Sequence, residues 1–284
     1  MKPQKPLLER QSAISPARPS GFARQLLKAF LPPLIMGGVL FCLYVFVRGN
    51  LEPHRQFLMP GVSDLWSQAF GIAAVREELL ERSITTMSIA LAGLGISIPT
   101  GIFLGIIMFR FYVMERAVFP YLVALQSIPI MAIIPLIQSA LGFGFFPKVL
   151  IVALFTFFAI PTTLLLGLKS VDRGIIDLFR LQGASWFVML RKAGLPSAAP
   201  ALFAGLRISG SLAVIAAIVS ELFFLSGRGG LGQMLMNTKI DFKYEQMYAA
   251  LTVASILSIC VYVFFNWLGN RLFSQWHESA RRNK

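Results

Sequence analysis

Long apolar runs separated by polar segments dominate this chain. Six of these runs reach the length of about 20 residues that an α-helix needs to cross the hydrocarbon core of a bilayer. They cover roughly residues 29–47, 84–108, 117–142, 147–168, 198–224 and 248–270. A transmembrane β-strand would be only about ten residues long and would alternate between apolar and polar positions, which these runs do not. The pattern therefore predicts an all-α integral membrane protein with six transmembrane helices.

The polar segments divide the chain into three parts. We predict a basic tail over residues 1–28, a transmembrane domain over 29–275, and a second short tail over 276–284. The first apolar run has the hydrophobicity of a signal peptide, but the polar tail before it is longer than usual. No A-x-A-like cleavage site follows Val47 either. We therefore interpret this run as a retained helix.

Composition narrows the class of protein. Of the 284 residues, 56% are hydrophobic and 14% are charged, whereas a soluble domain has about 25% charged residues. The formal net charge of +13 is typical of a nucleic-acid binder, but such a protein requires a large solvated basic face. We therefore exclude an ordinary soluble enzyme and a nucleic-acid partner, and expect membrane lipid around the chain.

The distribution of charge predicts the orientation. If the N-terminus lies in the cytoplasm, the cytoplasmic segments hold 17 of the 26 lysines and arginines, and the segments on the other side hold 8. Lysine and arginine collect on the cytoplasmic side of membrane proteins. We therefore predict a multi-pass protein with both termini in the cytoplasm.

Small residues recur at every fourth position in two of the runs. The two rows are Gly93, Ser97, Gly101 and Gly105, and Ala201, Gly205, Ser209, Ala213 and Ala217. Small side chains let helices approach closely in lipid. We expect packing within the chain for most of these positions, with packing against a second copy as the alternative.

Polar residues and prolines interrupt the third and fourth runs. The third run contains Gln126-Ser127-Ile128-Pro129, and Pro161 interrupts the fourth. Broken backbone at membrane depth is tolerated only where protein or a water-filled cavity satisfies it. The breaks therefore indicate either plain kinks or residues that line a translocation path. The candidates for lining the path are Gln126, Ser127, Gln138, Thr162, Ser211 and Glu221.

Two charged residues fall inside the fifth run. Arg207 and Glu221 are 14 positions apart, about 21 Å along a helix, so they cannot pair with each other. Ionisable residues inside the membrane are candidates for function. The alternatives are that Arg207 extends to the membrane surface and that Glu221 lies at the interface.

Few residues offer catalytic or metal chemistry. Cys42 and Cys260 lie inside apolar runs, where small buried hydrophobic side chains are favoured over a disulfide or a metal site. His54 and His277 are the only histidines and lie on opposite sides of the predicted membrane. We predict neither a catalytic residue nor a metal site in this chain.

The loop over residues 169–197 presents apolar side chains among basic ones. It predicts two short helices around a hinge at Gly183-Ala184, with Ser185 as the N-cap of the second helix. Exposed apolar patches of this kind mark partner sites. A helix that lies on the lipid surface is the alternative.

This loop resembles the EAA loop of ABC importer permeases. The spacing Asp177-x5-Gly183-x9-Ala193-x-Leu195-Pro196 matches the usual E-A-A-x3-G-x9-I-x-L-P at the glycine and at Leu-Pro. It departs from that form at residues 177–179 and at Ala193. Four further stretches, residues 80–108, 125–144, 148–172 and 205–235, are similar to successive blocks of the nitrate/taurine/sulfonate-type permeases. The resemblance covers about residues 60–275.

The resemblance implies a MetI-like fold in the bacterial plasma (inner) membrane. It also implies a second permease copy, two cytosolic ATP-binding subunits that bind ATP and Mg, and an extracytoplasmic solute-binding protein. In such permeases the loop couples the ATPase to the spans. The residues that correspond to the coupling element are Asp177, Leu178, Phe179, Leu181, Gly183, Ala184, Ser185, Trp186, Phe187, Leu190, Leu195 and Pro196.

Nucleotide chemistry is not expected in this chain itself. The sequence has no G-x-x-x-x-G-K-[ST] phosphate loop. Gly227-x-Gly229-x-x-Gly232 has the spacing of a dinucleotide motif, but it follows a membrane helix rather than a strand. We interpret it as a tight extracytoplasmic turn.

Two other classes of protein are less consistent with the sequence. An ion-coupled secondary transporter usually places several ionisable groups at mid-membrane, and a membrane-embedded enzyme would need clustered His, Asp, Glu or Cys residues. For the cargo, the resemblance implies a small anion such as a sulfonate, nitrate or bicarbonate. A vitamin precursor or another heterocycle is the alternative.

Overall fold

The computed structural model describes residues 22–224 and 229–273. It divides at Pro60 into two compact units. In the first unit, α1 covers Phe22–Asn50 and one short 3-10 helix covers Pro53–Leu58. Within α1 the stretch Leu34–Asn50 is apolar. Its side chains are mostly exposed, as expected for a helix that is hydrophobic all round and faces lipid.

The second unit begins with a short helix and a long one. Helix α2 covers Val62–Leu65 and continues into one π-helical turn, Trp66–Phe70. Helix α3 then covers Ala73–Arg110, 38 residues. It begins before the apolar window because the charged residues ahead of that window are helical too, and the ion pair between Arg82 and Glu78 at 3.1 Å supports that turn.

A sharp bend separates α4, Tyr112–Ser127, from α5, Ile130–Leu141. The two helices meet at 100°, as a broken span or a re-entrant loop. Ile128 and Pro129 both have extended backbone. Proline has no N–H to donate and disfavours helical backbone in the residue before it. The predicted interruption at this point is confirmed, and it is larger than a kink.

The fourth apolar run forms two consecutive helices, α6 over Phe145–Phe157 and α7 over Ala159–Lys169. The helix is interrupted at Phe158, three residues before Pro161. The hydroxyl of Ser209 donates to the carbonyl of Thr156 at 3.0 Å, and the hydroxyls of Thr156 and Ser97 lie 2.8 Å apart. Protein side chains therefore satisfy the backbone and hydroxyl groups beside this break.

The described residues from 173 onward, 173–224 and 229–273, contain five helices. They are α8, Arg173–Leu181; α9, Trp186–Met189, followed by one π-helical turn, Leu190–Gly194; α10, Leu195–Phe223; α11, Leu231–Ile240; and α12, Tyr244–Phe273. Tight contacts between α10 and α12 are possible because Gly210 faces Val261 and Phe265, and Gly269 faces Phe203.

The described residues are all-helical, as predicted, and contain four helical segments long and apolar enough to cross a membrane. These are Ala73–Arg110, Phe145–Lys169, Trp186–Phe223 and Tyr244–Leu272. The bent pair α4–α5 gives a fifth if it is one span, and the first predicted window corresponds to the 17-residue apolar part of α1. A helix or helix pair therefore lies at each of the six predicted windows. Within the described residues, however, only four or five of them are long and apolar enough to span a membrane.

The rows of small residues pack within the chain. A β-carbon at Gly93 would lie 2.4 Å from Cγ1 of Val152, and one at Gly101 would lie 2.9 Å from Cβ of Ile160. Gly105 faces Leu164 in the same way. The α3 row therefore brings α3 against α6 and α7.

Both cysteines are free and exposed. The expectation that they are buried is therefore wrong, because Cys42 lies on an exposed face of α1 and Cys260 on an exposed face of α12.

Candidate functional site

The loop between α7 and α10 folds as two capped helices. The carboxylate of Asp172 accepts a hydrogen bond from the backbone N–H of Gly174 at 2.6 Å and caps α8. The hydroxyl of Ser185 accepts one from the N–H of Val188 at 3.4 Å and caps α9. The predicted cap at Ser185 is confirmed. Such caps satisfy N–H groups that have no partner within the helix.

Gly183 forms the turn between these helices. Its φ of +67° lies in the left-handed region, which side-chain-bearing residues rarely adopt. The N–H of Gly183 donates to the carbonyl of Arg180 and the N–H of Ala184 to that of Phe179, both at 3.0 Å. A β-carbon at Gly183 would meet nothing within 4 Å. Glycine is therefore required here for its backbone conformation and not for space.

The predicted coupling residues separate into an exposed set and an anchoring set. The exposed set includes Leu178, Leu181, which is 87% exposed, and Phe187. Leu190 is buried and packs against Leu164, Leu168 and Ala198. The loop is therefore fixed to α7 and α10 on one side and presents apolar side chains on the other.

The structure also shows the exposure of the other predicted coupling residues. Asp177, Gly183 and Ser185 are exposed, and Phe179, Ala184, Trp186, Leu195 and Pro196 are half-buried.

A cleft of about 500 Å³ opens between the end of α3 and the loop. It is lined by Phe109, Arg110, Ile176, Phe179, Arg180, Ala184, Trp186 and Met189. The guanidinium of Arg110 stacks over the ring of Trp186 at 5.3 Å, a cation–π contact. Sequence reasoning missed Arg110, since nothing local indicates that the end of α3 meets a loop more than 70 positions later.

The six path candidates are dispersed. Gln126 and Ser127 are exposed at the end of α4, and Gln138 is half-buried on α5. The hydroxyl of Thr162 donates to the carbonyl of Phe158 within its own turn at 2.8 Å. The carbonyl of Ser211 accepts from the hydroxyl of Ser258 at 3.3 Å. Within the described chain, no hydrogen bond joins the side chains of any two of these candidates.

Glu221 lies in a buried polar cluster and not at an interface. Its side chain is fully buried and accepts hydrogen bonds from the hydroxyl of Thr86 and from the N–H of Gly232. The hydroxyl of Thr86 also accepts from the N–H of Leu231 at 2.8 Å. The Gly-rich segment, of which Gly227 lies outside the described residues, therefore contacts this carboxylate. Thr86 was missed because it is 135 positions from Glu221.

Arg207 has a partner on the last helix. Its guanidinium donates to the side-chain oxygen of Asn266 at 2.7 Å. This bond joins α10 to α12, so the partner of Arg207 is polar and uncharged.

Comparison with known protein families gives a match over more than half of the chain. The profile of the family described as "Binding-protein-dependent transport system inner membrane component" matches residues 97–275. This range contains the loop with α8 and α9, and Glu221.

Individual relatives are permeases. The chain is 36% identical to the formylaminopyrimidine transport permease protein ThiX of Halalkalibacterium halodurans over 66% of this chain and 74% of that protein. It is 30% identical to the riboflavin transport system permease protein RibX of Chloroflexus aurantiacus over 95% and 100%. It is 26% identical to the putative aliphatic sulfonates transport permease protein SsuC of Bacillus subtilis over 56% and 57%.

A solved structure shares the fold. A chain of the MetNI methionine ABC transporter, in an inward-facing conformation, superposes with a TM-score of 0.55 at 20% identity. The match covers 75% of this chain and 98% of that chain. The fold of the described helices is therefore MetI-like.

Proposed function

Because this chain belongs to the family of binding-protein-dependent transport system inner membrane components, it is the membrane permease subunit of an ABC importer, and we propose that its cargo is a nitrogen heterocycle. The family consists of permease subunits and not of enzymes. ATP is therefore hydrolysed by an ATPase partner, and a binding protein delivers the cargo.

The proposed cargo is supported mainly by the sequence identity of this chain to relatives that are named for different cargoes. The permeases named for formylaminopyrimidine and riboflavin are 36% and 30% identical to this chain. The permease named for aliphatic sulfonates in Bacillus subtilis is 26% identical and matches only 56% of this chain. A pyrimidine or a flavin is therefore favoured over the small anion that the sequence resemblance first implied.

The charges of the spans also favour a cargo without an obligatory negative charge. Lys148 and Arg207 are the only basic residues within the six apolar windows. Lys148 is buried and interacts electrostatically with Glu221, and Arg207 donates to Asn266. Arg207 is therefore hydrogen-bonded within the chain and Lys148 is buried, whereas an anion path is better served by cations that face the cargo.

The proposed assembly contains two permease copies, two ATPase subunits and one binding protein. In this assembly the exposed residues of α8 and α9 enter the ATPase, and both termini lie in the cytoplasm. The contact of α8 and α9 with the ATPase is supported by the exposed side chains of Leu178, Leu181 and Phe187, because apolar side chains beyond the membrane require a partner. The cytoplasmic position of both termini is supported by the excess of basic residues on the side of the membrane where the loop lies.

The cargo is tested by ligand binding to the solute-binding protein that delivers cargo to this permease. Isothermal titration with a formylaminopyrimidine, riboflavin and an aliphatic sulfonate gives three dissociation constants under one set of conditions. We expect one of the two heterocycles to bind at least about tenfold more tightly than the sulfonate, a difference of about 1.4 kcal/mol. Tighter binding of the sulfonate would instead support the anion cargo.

A further inference from the structure

We propose that Glu221 is a positioning residue for transport, whose carboxylate joins α3, the end of α10 and the beginning of α11 into one unit that keeps its shape through the transport cycle. We call this unit the Glu221 cluster; it comprises Arg82, Thr86, Glu221 and residues 229–233. The cluster lies at the end of α10, and the loop of α8 and α9 adjoins the beginning of the same helix.

The carboxylate and a threonine hydroxyl together cap α11. The hydroxyl of Thr86 lies 2.9 and 3.1 Å from the two carboxylate oxygens of Glu221. The N–H of Gly232 donates to Glu221 at 2.8 Å, and the N–H of Leu231 donates to Thr86 at 2.8 Å. Side chains of two other helices thus satisfy the first two N–H groups of α11, which have no acceptor within the helix.

Two glycines bring the backbone directly onto these side chains. A β-carbon at Gly230 would lie 2.2 Å from both Oε1 of Glu221 and Oγ1 of Thr86. One at Gly232 would lie 2.2 Å from the carbonyl oxygen of Ile218 on α10. The segment therefore fits against α3 and α10 without room for any larger residue.

A second layer of charged groups surrounds the carboxylate. The guanidinium of Arg82 donates to the carbonyl of Gly229 at 2.8 Å and to the side-chain oxygen of Gln233 at 3.2 Å. Arg82 and the buried Lys148 of α6 both interact electrostatically with Glu221. A buried hydrogen-bonding group that loses its partner costs about 1–3 kcal/mol. Opening of this cluster during the cycle would therefore be opposed by each of the hydrogen bonds that it breaks.

Apolar packing extends the unit to α12. Leu231 and Met234 of α11 lie in one buried group with Val75 and Leu79 of α3 and with Ala249, Ala250 and Ala254 of α12. The bent pair α4–α5 differs, since Leu122 and Ile134 are its buried hydrophobic residues in the described chain. The motion of alternating access is therefore expected at α4–α5 and not within the Glu221 cluster.

The distance between α3 and α11 tests this proposal without any change to the cluster. Spin labels are placed at Glu77 and Asn237, which are exposed on these two helices. The labelled permease carries Cys42→Ser and Cys260→Ser and is assembled into the complete transporter. Pulsed electron paramagnetic resonance then measures the distance between the labels in the nucleotide-free complex and in the complex trapped by ATP and vanadate. We expect the mean distance to stay within about 2 Å, whereas a change of about 5 Å or more, the size of one helical turn, would overturn the proposal.

A matched pair of variants tests the effect on transport. Thr86→Val removes the hydroxyl that bonds Glu221, whereas Thr85→Val removes one that donates only to the carbonyl of Glu81 in its own helix. We expect Thr86→Val to reduce ATP-driven uptake about tenfold and to broaden the distance distribution, with Thr85→Val within about twofold of wild type. Thr86→Ser keeps the hydroxyl and should restore uptake. Equal uptake by Thr86→Val and Thr85→Val, or failure of Thr86→Ser to restore uptake, would contradict a positioning role.

Discussion

Individual glycines determine how closely the helices of this permease approach one another. Gly93 and Gly95 lie two positions apart on α3 and face different surroundings. A β-carbon at Gly93 would lie 2.4 Å from Cγ1 of Val152, whereas one at Gly95 would meet nothing within 4 Å. Replacement of glycine by alanine would therefore create a steric clash at Gly93 but none at Gly95.

We expect Gly93→Ala to destabilise the protein by about 1–3 kcal/mol, because the added methyl group overpacks the contact between α3 and α6. Gly95→Ala is the control and should be neutral or slightly stabilising, since alanine favours helix over glycine. The measurement is the melting temperature of each purified variant in one detergent. Equal losses at both positions would show that the packing at Gly93 is not tight.

Residue-level prediction from sequence succeeds where the cause is local. The break at Pro129 follows from the missing N–H of proline, and the cap at Ser185 follows from the hydroxyl ahead of a helical segment. The partners of Glu221 and Arg207 could not be predicted, because Thr86 and Asn266 lie 135 and 59 positions away. Only the packing of helices brings those groups together.

At the scale of elements, the unit of α8 and α9 is the most distinctive part of the chain. Its two helices are capped at Asp172 and Ser185 and joined through a glycine with φ of +67°. Leu190 fixes the second helix to α7 and α10. The relative direction of α8 and α9 therefore depends on the backbone at one residue.

Gly183→Val should uncouple ATP hydrolysis from transport. A branched side chain in left-handed backbone is unfavourable by about 1–2 kcal/mol, so the turn will reorient and α8 will no longer meet the ATPase correctly. We expect normal membrane insertion and continued hydrolysis, but about tenfold more ATP consumed for each solute transported. Gln182→Ala, one position earlier and with φ of −79°, is the control.

The ratio of ATP hydrolysed to solute taken up, measured in proteoliposomes, distinguishes the outcomes. A wild-type ratio in Gly183→Val would mean that the turn at Gly183 has no part in coupling.

Element positions were predictable from the apolar windows, but element geometry was not. The windows indicate helices because only internally bonded backbone is stable in lipid. Pro129 predicts an interruption between α4 and α5 but not its angle of 100°. The exposure of Cys260 likewise depends on which face of α12 the rest of the chain covers.

At the scale of the whole molecule, the charge of +13 belongs to a membrane permease and not to a nucleic-acid binder. The resemblance to ABC importer permeases is confirmed by the family match over residues 97–275 and by the MetI-like fold. The number of subunits and the orientation of the termini stay predictions, because a single chain holds neither its partners nor a bilayer. The cargo stays a proposal, because relatives named for different cargoes share the same family and fold.

The most direct test of this account is uptake by proteoliposomes that contain the permease with its ATPase subunits and its cargo-loaded binding protein. We predict uptake when MgATP is supplied to the ATPase subunits, and no uptake when ATP is absent or when those subunits are inactive. Uptake by the permease alone, driven by an ion gradient, would contradict the account and would identify a secondary transporter.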